Sequence, residues 1–129
     1  MANSVDELKA LVNTKLGFAR PNRFLVTLPS FGGGGLLAGC LLGFKDTGTA
    51  VFGAEPEGAD DAYRSLKQGT RIASHSPNTF CDGLLTTLGE KNFDIIRDRV
   101  TDVLLVSDEA VVEAMALIWT RLKLVVEPS

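Results

Sequence analysis

A chain of 129 residues suits one domain and leaves little room for two. Its 45% apolar and 22% charged residues form an ordinary globular balance, and a net charge of -3 speaks against a nucleic-acid binder, which usually carries a basic patch. No apolar run is long enough to span a membrane, and the opening Met1-Ala2-Asn3-Ser4 lacks the basic start and apolar core of a secretory signal, so the expected compartment is the cytoplasm.

Ser4-Val5-Asp6-Glu7 is a capping box, and it predicts a helix from about Val5 to Lys15 with Val5, Leu8, Leu11 and Val12 on one face. Gly17 ends it, and Arg20-Pro21-Asn22 reads as a turn. Arg23 to Leu28, rich in β-branched and aromatic residues, reads as a strand stopped by Pro29. A glycine run follows, then a helix of small and apolar residues from Leu36 to Lys45, then a second apolar strand from Thr49 to Ala54. Strand, glycine loop, helix and strand make the βαβ unit of a parallel sheet.

Asp60 to Gln68 reads as a helix with acids at its positive N-terminal end, where the dipole favours them. Gly69 to Gly89 is mostly loop. A short helix from Asn92 to Val100 and a strand from Asp102 to Val106 come next. Ser107 then caps a long helix reaching Leu124, whose apolar face is Val111, Met115, Ile118, Trp119 and Leu122. Met115 and Trp119 on that stripe are expected in the core.

The two cysteines, Cys40 and Cys81, stand far apart and outside any Cys-x-x-Cys pair, so they read as buried free thiols and not as a disulfide or zinc site. The one histidine, His75, sits beside serine and proline. Its residue type allows a catalytic relay, but a place on a surface loop is the preferred reading.

Phe31-Gly32-Gly33-Gly34-Gly35-Leu36-Leu37-Ala38-Gly39 carries the chemistry. A flexible linker would be flanked by serines or other polar residues, whereas here the flanks are apolar. Glycines let successive backbone N–H groups converge on an anion with no Cβ in the way, and the following helix adds its N-terminal dipole. No Gly-Lys-Ser/Thr follows, so this is not a P-loop, nor is it the Gly-x-Gly-x-x-Gly of a dinucleotide fold. With no lysine or arginine in the loop, a phosphate must be held mainly by backbone donors.

After the glycine run come Ala54-Glu55-Pro56, Ala59-Asp60-Asp61-Ala62-Tyr63, Asp82-Gly83-Leu84, Ile96-Arg97-Asp98 and Trp119-Thr120-Arg121-Leu122-Lys123-Leu124-Val125-Val126-Glu127-Pro128. In this order and spacing residues 31–129 resemble the serine racemase and serine/threonine dehydratase family of fold-type II pyridoxal-phosphate (PLP) enzymes. The resemblance implies an α/β fold: a partial three-layer, mostly parallel sheet, a fragment of a tryptophan synthase β-like domain. It implies that Gly32, Gly33, Gly34, Gly35 and Leu36 wrap the PLP phosphate and that Glu127 sits by the cofactor ring. It also implies a divalent-cation site of Glu55, the Ala59 carbonyl and Asp61. Two carboxylates and a carbonyl are hard oxygen ligands that suit Mg²⁺ or Mn²⁺. The alternative is that Glu55 ends a strand and Asp60 and Asp61 begin a helix.

The chain departs from the family's pattern. The Ser-Phe-Lys segment whose lysine holds the cofactor precedes the glycine loop in the family and is not found here. Gly43-Phe44-Lys45-Asp46 mimics it weakly, but follows the loop inside the crossover, so no residue is assigned as catalytic. The expected activity, PLP-dependent elimination or racemisation of serine or threonine, is therefore not expected of the chain alone. An amino acid substrate, a homo-oligomer or a complementary fragment are the partners implied. Residues 1–30 read as a segment of different origin, with Gly17-Phe18-Ala19-Arg20-Pro21-Asn22-Arg23-Phe24-Leu25-Val26 similar to the N-terminus of contractile-phage tail-tube proteins. A structural phage protein or a chimeric product is the alternative reading.

Overall fold

The computed structural model describes the backbone of Phe24–Val26 and all of residues 32–129. The expected helix over 5–15, the turn at Arg20-Pro21-Asn22 and Phe31 lie outside the described residues. Three strands form one sheet: β1 (Phe24–Val26), β2 (Ala50–Pro56) and β3 (Asp102–Val106), in that order and all parallel. Helix α1 (Gly35–Gly43) follows β1; α2 (Asp61–Gln68) and α3 (Glu90–Arg99) lie between β2 and β3; α4 (Asp108–Leu117) follows β3. The strand expected over 23–28 is thus an outer strand of the same sheet as β2.

The sheet reads as apolar because both faces of its middle strand are covered. Phe24 to Val26 pair with Ala50 to Phe52, and Phe52 to Pro56 pair with Asp102 to Val106. Side chains alternate along a strand, so Val51 and Val103 share one face and Phe52, Ala54 and Leu104 the other. The first face packs on Leu37, Ala38 and Leu41 of α1, Ala62 of α2, Leu88, and Phe93 and Ile96 of α3, all buried. A smaller cluster of Ala59, Cys81 and Leu84 takes Val111 of α4 against it. Cys81 is a buried free thiol as expected, and burial pushes its pKa up; Cys40, expected buried, is half-exposed.

The end of the long helix differs from expectation. Ser107 Oγ does accept the Ala110 N–H and caps α4. The α-helix stops at Leu117, and Ile118–Leu122 widens into a π turn ended by Lys123 at a φ of 58°. Met115 is only half-buried and Trp119 is 66% exposed. The helical period says which residues share a face, not that anything covers the face. Val112, Leu117 and Leu122 are exposed as well.

These burials predict opposite outcomes for two large-to-small changes. Ile96→Ala should lower the unfolding free energy by about 2–5 kcal/mol, the usual loss for an aliphatic side chain in a filled core. Trp119→Ala should stay within about 0.5 kcal/mol, as at a surface position. Urea unfolding of both variants checks this. A large loss for Trp119→Ala would mean that α4 is covered in solution.

Candidate functional site

The glycine run enters α1 without a side chain. Gly34 is its N-cap, at φ 75° and ψ 4°, a left-handed conformation that glycine adopts without strain. A Cβ on Gly34 would collide with Leu88 Cδ1 and approach Ile96 Cδ1 at 3.0 Å. A Cβ on Gly32 would meet Gly83 O and Thr86 Oγ1, each at 2.9 Å. Gly32 and Gly34 are buried under these neighbours, whereas Gly33 and Gly35 are exposed. Gly34 O accepts the Ala38 N–H at 3.0 Å, the first rung of α1. The first amides of the helix are therefore left over, at the positive end of its dipole. Leu36 is exposed beside the run, and Leu37 is buried in the core.

Two more segments close on the run. Residues 82–84 form a 3-10 turn whose Gly83 carbonyl lies against Gly32. Gly83 N–H in turn donates to Ser129 Oγ at 3.0 Å, and a Cβ on Gly83 would meet Ser129 Cβ at 2.9 Å. Ser129 thus brings Glu127, two residues earlier and exposed, to the same end of the molecule as the 82–84 turn. The other segment is the start of α3: Gly89 N–H donates to Gly33 O at 3.1 Å, and the Asn92 side-chain amide donates to the same oxygen. Sequence reasoning finds Asp82-Gly83-Leu84 but misses Thr86, Gly89, Asn92 and Ser129. Single polar residues and glycines in loops carry no pattern of their own. Lys45 lies just past the far end of α1, which at 1.5 Å per residue is about 13 Å long, so the helix itself keeps it from the glycine run.

The residues proposed from the resemblance as metal ligands are brought together, but their donor atoms are already engaged. Glu55, at the end of β2, is 1% exposed. Its Oε1 accepts Ala62 N–H at 3.2 Å and its Oε2 accepts Tyr63 N–H at 2.8 Å, so it caps α2 in place of Asp60, whose side chain makes no cap bond. Asp61 Oδ2 accepts Leu88 N–H at 2.9 Å, and Oδ1 stands 3.5 Å from His75 Nε2. Ala59 is buried in the smaller cluster. Among the described residues no group of three or more acidic, histidine or cysteine side chains is placed to hold a metal ion. These residues do not fit a divalent cation here, and no step is derived through one. His75 is a correction to its expected surface place: its side chain is 6% exposed, packed against Asp61, with neither ring nitrogen hydrogen-bonded.

A separate open cleft of about 180 Å³ is lined by Tyr63, Lys67, Arg97, Thr101 and Asp102, among others. Its cations already face acids, Lys67 with Asp102 at 3.9 Å and Arg97 with Asp98 at 3.0 Å and Asp94 at 3.5 Å. It shares no lining residue with the glycine run.

Burial pushes the Glu55 pKa up to about 8, against the downward pull of the Tyr63 and Ala62 amides and with the help of the Asp61 and Asp60 charges. The folded pKa is above the unfolded one, so this contribution to stability is whole below about pH 4.5 and is lost as pH rises through 8. In EDTA, the thermal midpoint should fall between about pH 5.5 and 8, and Glu55→Gln should flatten that fall. An unchanged slope in the variant would remove Glu55 as its cause.

Known proteins share this arrangement. The sequence profile described as "Pyridoxal-phosphate dependent enzyme" matches residues 14–129. The match starts ahead of Phe31, inside the segment with the phage-like wording, and no comparison supports the tail-tube likeness. The chain is 48% identical over 103 residues to a serine racemase of Dictyostelium discoideum, covering 76% of this chain and 32% of that protein. It is 44% identical over 100 residues to a beta-hydroxyaspartate dehydratase of Paracoccus denitrificans, with the same coverage of 76% and 32%. Among solved structures, a serine racemase of maize superposes with a TM-score of 0.74 at 34% identity, over 95% of this chain and 37% of that one. A bacterial-type threonine deaminase, from T.th., gives 0.72 at 44% identity, over 95% and 44%. The chain spans about a third of the length of the curated relatives it matches. Its α/β architecture with a small parallel sheet matches these structures, and the chain belongs to the pyridoxal-phosphate dependent enzyme family.

Proposed function

We propose that residues 31–129 are the phosphate-holding part of a PLP-dependent serine/threonine dehydratase or serine racemase. The observation that carries this is the floor of the glycine run. Gly32 and Gly34 are pressed against Gly83, Thr86, Leu88 and Ile96 with no room for a Cβ, while Gly33 and Gly35 stay open to an incoming group. Such a surface offers backbone N–H groups and nothing else, at the end of a helix where negative charge is favoured. In this reading Gly32, Gly33, Gly34, Gly35 and Leu36 receive the phosphate, and Glu127 stands by the ring. When bound, PLP supplies an electron sink for an amino acid joined to it.

What this chain's own residues do is hold and orient. The glycine amides fix the phosphate, and the Asp82-Gly83 turn and Ser129 limit the space beside it. The relatives' names, serine racemase, threonine deaminase and beta-hydroxyaspartate dehydratase, support a hydroxy amino acid as the substrate class. Catalysis needs a lysine at the cofactor aldehyde, and Lys45 is at the wrong end of α1. A complementary fragment carrying that lysine is the partner this reading calls for. Cation binding at Glu55, Ala59 and Asp61 is not part of it, because those carboxylates are spent on backbone amides and His75.

The test is a titration of the ¹⁵N-labelled chain with PLP, inorganic phosphate and pyridoxal. PLP and phosphate should move the amide signals of Gly32 to Leu36, and pyridoxal should not. Equal shifts with pyridoxal, or shifts confined to lysine-bearing segments, would sink the phosphate reading. The chain alone should release no ammonia from L-serine or L-threonine above a protein-free control. Release that disappears in Lys45→Ala would restore Lys45 as the lysine that holds the cofactor.

A further inference from the structure

We propose that Asn92 is a positioning residue for the glycine cradle: with Gly89 N–H it clamps the Gly33 carbonyl and so aims the Gly34 N–H at the bound anion. The inference rests on the phosphate reading given above and names a residue that acts within it.

The argument starts from the peptide unit. A trans peptide is planar, with its C=O and N–H pointing in opposite directions, and the described chain has no cis bond. Fixing the oxygen of Gly33 therefore fixes the direction of the Gly34 N–H. That oxygen takes two donors from the start of α3, Gly89 N at 3.1 Å and Asn92 Nδ2. The Gly34 N–H must then point away from α3. The next peptide is set in the same way, because Gly34 O accepts the Ala38 N–H at 3.0 Å along α1. The Gly35 N–H must point back out of the helix start. Two successive N–H groups, one set by the clamp and one by the helix, form an anion-binding concavity.

Without the clamp the Gly33–Gly34 peptide is the one most free to turn over. Glycines flank it on both sides, a Cβ on Gly33 would touch nothing within 4 Å, and Gly33 is exposed. A turned peptide would present a carbonyl oxygen to the anion where an N–H is needed. Satisfying the carbonyl does not require Asn92, since an exposed oxygen can take water instead. What the two donors add is direction. The space around them is fitted to this task. A Cβ on Gly89 would meet Gly33 O at 3.1 Å and Asn92 Nδ2 at 3.2 Å, so a side chain there would push the donors off the oxygen.

The test uses the ¹⁵N-labelled chain with inorganic phosphate and PLP as probes. N92L keeps the side-chain volume, removes the donor and adds no charge. It should weaken both ligands by about three- to tenfold, the range expected for losing one hydrogen bond's worth of orientation. Before any ligand is added, the Gly34 amide signal should shift and its hydrogen exchange should quicken, while the thermal midpoint stays within the wild-type range. A purely structural role would move the midpoint and leave the Gly34 amide as it was. If N92L does not fold, N92A is read by the same signals. Wild-type affinity with an unmoved Gly34 amide in a folded variant would overturn the clamp and leave the cradle standing. No phosphate-induced shift at Gly32 to Leu36 in the wild type would take down the cradle reading and the clamp with it.

Discussion

Everything at the candidate site depends on the start of α1 meeting the start of α3 and the 82–86 loop with no side chain between them. Leu88 and Ile96 reach to within a collision of where a Gly34 Cβ would stand, and Gly83 O does the same at Gly32. Backbone can approach backbone this closely only through glycine. The close approach both seals Leu37 and Ile96 into the core and leaves the opposite side of the run bare. Packing and ligand access are here two sides of one row of missing methyl groups.

A second set of contacts holds the frame behind the run. Glu55 and Asp61 are both buried, and both spend their carboxylate oxygens on backbone amides, of Ala62 and Tyr63 in one case and Leu88 in the other. Glu55 ties the end of β2 to the first turn of α2. Asp61 ties α2 to Leu88, one residue before the Gly89 that reaches Gly33. The path from the sheet to the glycine run is thus short and passes through two carboxylates. Removing an acceptor from a buried amide usually costs more than its presence stabilises, so both acids are structural before they are anything else.

Much of this is legible in the sequence, for reasons that differ by element. Strand β3 can be read residue for residue because Asp102 to Val106 is an apolar run bounded by Thr101 and the Ser107 cap. The glycine run stands out because four glycines between apolar flanks suit close backbone contact and little else. The parts that escape are long-range. Asn92 meets a carbonyl 59 residues away, and Leu88 N–H meets Asp61 27 residues away. His75 looks like a surface residue because its neighbours are Ser74, Ser76 and Pro77, yet its ring is buried against Asp61. Trp119 fails the other way. Its spacing marks a stripe correctly, and only the fold says whether the stripe is covered.

The two connections that flank β2 differ in how much change of length they can absorb. Between β2 and α2, Glu55 reaches across to Ala62 and Tyr63, and Gly58 is held by Asn78, whose N–H donates to Gly58 O at 2.7 Å. A residue added there would pull the carboxylate from its amides or drive a side chain into Asn78. Residues 42–48, between α1 and β2, are exposed, and a Cβ on Gly48 would meet nothing. Lengthening a solvent-facing turn costs only about 0.6 kcal/mol per doubling of its length. A reporter peptide or affinity tag grafted near Asp46 would therefore sit at the opposite end of α1 from the glycines, where the molecule can carry it without disturbing the cradle.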